Sequence, residues 1–164
     1  MNFKRIKTTI GILSLLLIVS CGTPKEVISA KKTLKGEWTL SDISYDQAGT
    51  FEVTLLQDAP ANCMQGSTWK FIPNNYSGKY VVNGTECLST GPRNFLWTIP
   101  KPDASGNYSF MLKPVDEKKK SIDNRGFRMT LAYLDQTNMT WTQTVSLEGK
   151  PFEITMKFTK LTTN

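Results

Sequence analysis

The side chains able to do chemistry in this 164-residue chain are few, and it has no histidine. Without imidazole the commonest general base is missing, and so are the triads in which it activates a serine or cysteine. Carboxylates remain, but Asp42 with Asp46 and Asp116 with Glu117 sit in turn-like, charged surroundings where solvated carboxylates are the rule. The sequence contains no P-loop, no G-x-S-x-G elbow and no G-x-G-x-x-G turn. Its three cysteines, Cys21, Cys63 and Cys87, form no C-x-x-C pair, so zinc or copper would lack its usual ligands. Met64, Met111, Met129, Met139 and Met156 lie on or near alternating segments, the spacing of core packing rather than of a thioether copper site. The expectation is a non-catalytic protein without metal or cofactor.

Cys21 has a different setting. Lys4, Arg5 and Lys7 precede an apolar stretch from Ile10 to Val19, the layout of a secretory leader. That stretch is about half the length needed to span a bilayer and contains Gly11 and Ser14. Ile18-Val19-Ser20-Cys21 resembles the lipobox of bacterial lipoproteins. The resemblance implies that residues 1–20 are removed and that Cys21 carries acyl chains, palmitate among them, which anchor the protein in a membrane. In such lipoproteins of Gram-negative bacteria, a glycine at the position of Gly22 favours the outer membrane, so the expected location is the cell envelope, facing the periplasm. Residues 21–33 lack strand alternation and read as an acylated cysteine and a flexible tether, with an extended reach of about 40 Å. With Cys21 acylated and the chain in an oxidising compartment, Cys63 and Cys87 are candidates for a disulfide.

The remaining residues, 34–164, suffice for one domain with one core. The formal net charge is +6, but three of those charges belong to the leader. The one basic run, Lys118 to Lys120, stands beside Asp116, Glu117 and Asp123, a solvated loop rather than a nucleic-acid stripe.

Along this domain apolar residues recur at every second position, the strand signature. Trp38 and Leu40 share one parity and Ile43 and Tyr45 the other, which a bulge near Ser41-Asp42 reconciles. Phe51, Val53 and Leu55 predict a second strand, Trp69 and Phe71 a third, and Tyr80 and Val82 its hairpin partner. Five further strands follow through Phe95, Trp97 and Ile99; Tyr108, Phe110 and Leu112; Phe127 to Tyr133; Met139 to Leu147; and Phe152 to Phe158. About eight or nine antiparallel strands with one apolar face each must close on themselves or pack sheet on sheet. An all-β up-and-down barrel is expected, with a β-sandwich as the alternative.

Gly36-Glu37-Trp38, opening the first strand, resembles the G-x-W signature of lipocalins. The stretch LQDAPANCMQGSTWKFIPNNYSGKY resembles the cysteine-containing segment of lipocalin-like domains in bacterial envelope lipoproteins. The resemblance implies a barrel closed at one end by Gly36 and Trp38, with a basic residue over the indole supplied by Lys157 or Lys160, and a cavity for one small apolar ligand. Trp97, Phe110, Met129, Leu131, Tyr133 and Trp141 share a consistent parity on four successive strands and are the candidate lining, with Tyr133 offering a hydroxyl. The same sequence holds enough large inward side chains to fill a small barrel outright. A lipid-anchored binder of small hydrophobic molecules and a structural or inhibitory envelope lipoprotein acting through a protein partner therefore both remain open.

Overall fold

A computed structural model describes residues 23–83, 87 and 91–161; Cys21 and residues 1–20, read above as a leader, lie outside them. Helix α1 spans Lys25–Leu34 and strand β1 Gly36–Tyr45, followed by the two-residue strands β2 (Thr54–Leu55) and β3 (Ala59–Pro60) and the helical turn α2 (Ala61–Met64). Eight of the strands make the barrel. After β1 come β4 (Thr68–Ile72), β5 (Ser77–Val81), β6 (Pro92–Thr98), β7 (Ser109–Val115), β8 (Phe127–Leu134), β9 (Asn138–Leu147) and β10 (Lys150–Lys160), each antiparallel to its neighbours, with β10 returning to β1. Closure leaves no unpaired strand edge, the liability of an open antiparallel sheet. The alternation in the sequence thus resolves as a closed up-and-down barrel and not a sandwich.

The bulge expected in β1 is present: pairing with β10 shifts between Leu40 and Asp42, and Ile43 and Tyr45 pack against the core beyond it. Trp38, Leu40, Trp69, Phe71, Phe95, Phe110, Trp141 and Phe158 are almost wholly buried in a single apolar cluster.

Two elements differ from the sequence expectation. Phe51 and Val53 are not in a barrel strand; only Thr54 and Leu55 of that stretch pair, with Pro60 and Ala59, in a small separate ribbon. The segment read as a flexible tether is, from Lys25 onward, the helix α1. Val27, Ala30 and Leu34 lie three to seven residues apart, on one helical face, and pack into the core. Glu26 in the first turn and Lys31 and Lys32 in the last complement the helix dipole. The period is helical, and a search for alternation passes over it.

The barrel's ends differ. At the closed end α1 lies under the start of β1, and Leu34 is completely buried. At the open end residues 46–67 fold back with Leu55, Leu56 and Met64 buried in the common core, and the Cys63–Cys87 disulfide ties α2 to the segment after β5. All barrel pairings and both end covers fall within the described residues, so this stretch carries its own core.

Candidate ligand-binding site

Five of the six proposed lining residues form a contiguous inner belt on β6 to β9. Trp97 stacks on Phe110 at 5.7 Å between ring centroids, and Phe110 stacks on Trp141 at 4.5 Å. Met129 is the cross-strand partner of Phe110, and Leu131 that of Trp141. Trp97, Phe110, Met129 and Trp141 are buried, while Leu131 is half-buried.

Tyr133 is the exception. Pairing between β8 and β9 slips at Ala132, and the alternation of β8 reverses there. Tyr133 is therefore 53 % exposed on the outer surface, and its hydroxyl donates to Asp135 at 2.7 Å. It cannot supply a hydroxyl to the interior.

The belt faces a second aromatic group across the barrel. Trp69 meets Trp141 and Phe158 edge to face, each at 5.6 Å, and Phe71 meets Phe110 and Trp141 at 5.9 and 6.0 Å. These edge-on geometries are the favourable ones for aromatic pairs. Phe95 packs against Gly78 in the neighbouring strand, where a Cβ would come within 2.3 Å of its ring and 2.6 Å of the Lys70 carbonyl. A glycine in mid-strand is what lets that ring come so close.

The four tryptophans are not equivalent. Trp38 Nε1 donates to the Leu34 carbonyl at 2.9 Å, Trp69 Nε1 to Ser67 Oγ at 2.8 Å and Trp97 Nε1 to the Ser77 carbonyl at 2.8 Å. Trp141 Nε1 has no hydrogen-bond partner, the only such buried side-chain polar atom among the described residues. A buried donor left unpaired costs about 1–3 kcal/mol. Three indoles out of four meet the rule, and the fourth stands inside the aromatic belt.

At the open end a cleft of about 420 Å³ runs beside Leu56, Tyr80, Arg93, Val115, Ile122 and Arg125. Tyr80 lies flat on Trp69 at 4.4 Å, and its hydroxyl donates to Asp58 Oδ2 at 2.8 Å. Arg93 Nε donates to the same oxygen at 2.8 Å, and Arg125 bridges Asp123 and Gln57. Burial, and then the hydrogen bond to Asp58, push the Tyr80 phenol well above its ordinary range. Asp58 and Gln57 belong to the β2–β3 turn, in which Leu56 and Gln57 both hold left-handed backbone at φ of 52° and 51°. Two non-glycine residues in succession there make a strained hairpin turn, held by the side chains that latch it to the barrel. The latch joins residues 35 positions apart, which no local spacing announces.

At the closed end Trp38 is fully buried, and Lys160 Nζ lies 5.0 Å over its ring while donating to the Thr33 carbonyl at 2.6 Å. Burial lowers the affinity of that amine for its proton. Lys157, the other lysine considered for this contact, instead pairs with Asp42 at 3.2 Å on the outer surface. Gly36 opens β1 at φ 122°, with Lys160 Cε 3.3 Å from where a Cβ would stand.

Among solved structures the chain resembles bovine odorant binding protein. In that protein's complex with a selenium-containing odorant, the match covers 80 % of this chain and 75 % of the other at 13 % identity, with a TM-score of 0.41. In its complex with the natural ligand, the corresponding values are 80 %, 74 %, 13 % and 0.42. No protein-family model and no curated protein matches the chain. The strand pairing by itself closes the barrel.

Among the described residues no three histidine, cysteine, aspartate or glutamate side chains converge on a point where a metal could sit.

Proposed function

We propose that this chain is a non-catalytic envelope protein, anchored through acyl chains on Cys21, that takes one small, largely apolar molecule into the aromatic interior. The observation that carries the reading is the unpaired Trp141 indole N–H, a single donor set in an apolar wall, which is how ligand sites fix orientation. The ligand chemistry it favours is an aromatic or aliphatic body bearing one hydrogen-bond acceptor. The open-end cleft beside Tyr80 is the route inward, and side-chain rotation in the belt makes the space.

The second reading is an envelope lipoprotein with a filled barrel that acts through a protein partner. It is favoured by the ring contacts that cross from β4 to β7, β9 and β10. Native mass spectrometry of residues 22–164, incubated with a hydrophobic extract of the host envelope, separates the two. A retained small molecule that is lost in Trp141→Phe, with the fold intact by near-ultraviolet circular dichroism, supports the first. A bare protein mass across the whole extract overturns it in favour of the second.

A further inference from the structure

The outer face of α1 is basic and partly apolar. Lys25, Ile28 and Lys32 are exposed on it, Lys35 follows at its end, and Lys31 reaches Tyr76, its ammonium 4.5 Å over the ring and 3.2 Å from the hydroxyl. Ile28, Ile72 and Tyr76 are 44 %, 39 % and 44 % exposed at this same end. Of the nearby acids, Glu26 is the only one on the helix, and Glu37 pairs with Lys70. Asp103 and Asp135 are bound into their own turns.

We propose that this closed end is a docking surface for an anionic bilayer, the lysines meeting lipid phosphates and Ile28, Ile72 and Tyr76 resting at the interface. The proposal rests on the acylation of Cys21 put forward above. With α1 folded from Lys25, only residues 22–24 separate the anchored cysteine from the helix. Four Cα steps span at most about 14 Å, whereas the extended tether would have reached about 40 Å. Fields of surface charge persist over about 8 Å at physiological salt, so the short tether keeps the start of α1 within about two such lengths of the headgroups, where a tether of about 40 Å would not. One acyl chain with a basic patch, or two chains, gives stable membrane attachment. Docked this way, the barrel turns its mouth away from the lipid.

The test uses residues 22–164, which lack the anchor, with vesicles of phosphatidylethanolamine and phosphatidylglycerol or of phosphatidylcholine alone. Binding is expected only to the anionic vesicles and should fall with salt. Lys32→Glu/Lys35→Glu is expected to lower the partition coefficient by at least about 25-fold, since each basic residue near such a surface contributes about fivefold. Lys118→Glu/Lys120→Glu, which changes net charge equally at the opposite end, should lower it less than threefold. Equal losses in the two variants, or equal binding to both vesicle types, overturn the proposal. The intact mass of protein extracted from membranes examines the anchor separately. A missing acyl increment removes the anchor and leaves the vesicle result to decide the docking face.

Discussion

The two ends of the barrel are closed by different means. At the closed end a helix, an indole and a lysine meet through a buried face, two hydrogen bonds to main-chain carbonyls and one ammonium over a ring. At the open end the cover is residues 46–67, in which a strained turn is latched by one ion pair and a phenol–carboxylate hydrogen bond and the helical turn α2 is tied by a disulfide. The first is apolar packing whose few polar groups are answered by backbone. The second is a set of separable fastenings around a cleft, the kind of structure in which local opening need not disturb the rest.

The strongest blow to this contrast falls on Trp38. Trp38→Ala removes a fully buried indole and is expected to cost about 3–5 kcal/mol in denaturant unfolding. A loss below about 1 kcal/mol would show that the indole is no plug. Next is the disulfide, whose loop stabilises by about 3.5 kcal/mol on the chain-entropy account. In Cys63→Ser/Cys87→Ser, hydrogen exchange should quicken across residues 46–67 while amides of α1 and the start of β1 keep their protection. Equal quickening at both ends would make the ends one cooperative unit.

A smaller effect belongs to Tyr80. Its phenol is held neutral by burial and by Asp58, so the unfolded chain, ionising near pH 10, sheds that proton first. The stability it contributes is present below pH 10 and is lost as pH rises beyond it. Tyr80→Phe should flatten this alkaline limb in thermal unfolding, with a loss of about 1 kcal/mol at neutral pH. Asp135, in the closed-end turn, works in the opposite direction and is the slightest. Donation from the Thr137 N–H, the Tyr133 hydroxyl and the Asn138 N–H holds its carboxyl below the usual range. Its contribution is present above about pH 4 and fades as pH falls below that. Asp135→Asn should make the acid limb shallower, and it should also change the alkaline limb slightly, because the Tyr133 phenol loses the carboxylate that raises it.

What the sequence disclosed follows from how local each cause is. Strand parity places Trp97, Phe110, Met129 and Trp141 on one inner face, because alternation is a property of the strand itself. The bulge in β1 was legible because Trp38, Leu40, Ile43 and Tyr45 could not share a parity without it. In β8 the slip at Ala132 left no such trace: Leu131 and Tyr133 keep a regular spacing whichever way the backbone turns, and only the pairing with β9 shows Tyr133 outside. The helix α1 is written in Val27, Ala30 and Leu34, but with ten residues it is hidden between the apolar stretch of residues 10–19 and a strand. The solitary indole N–H of Trp141 is a fact about neighbours from four other strands, and no single stretch of chain contains it.

Lys160 donating to Thr33, and the Leu161 N–H donating to Glu37, bring the two outermost parts of the described chain to the same end of the barrel. Among the described residues, the opposite end is made of connections between strands, remote from both. A reporter domain joined on the C-terminal side of β10 emerges at the end remote from the cleft, whereas residues 46–67, with Leu55, Leu56 and Met64 buried in the common core, cannot be exchanged without rebuilding that core.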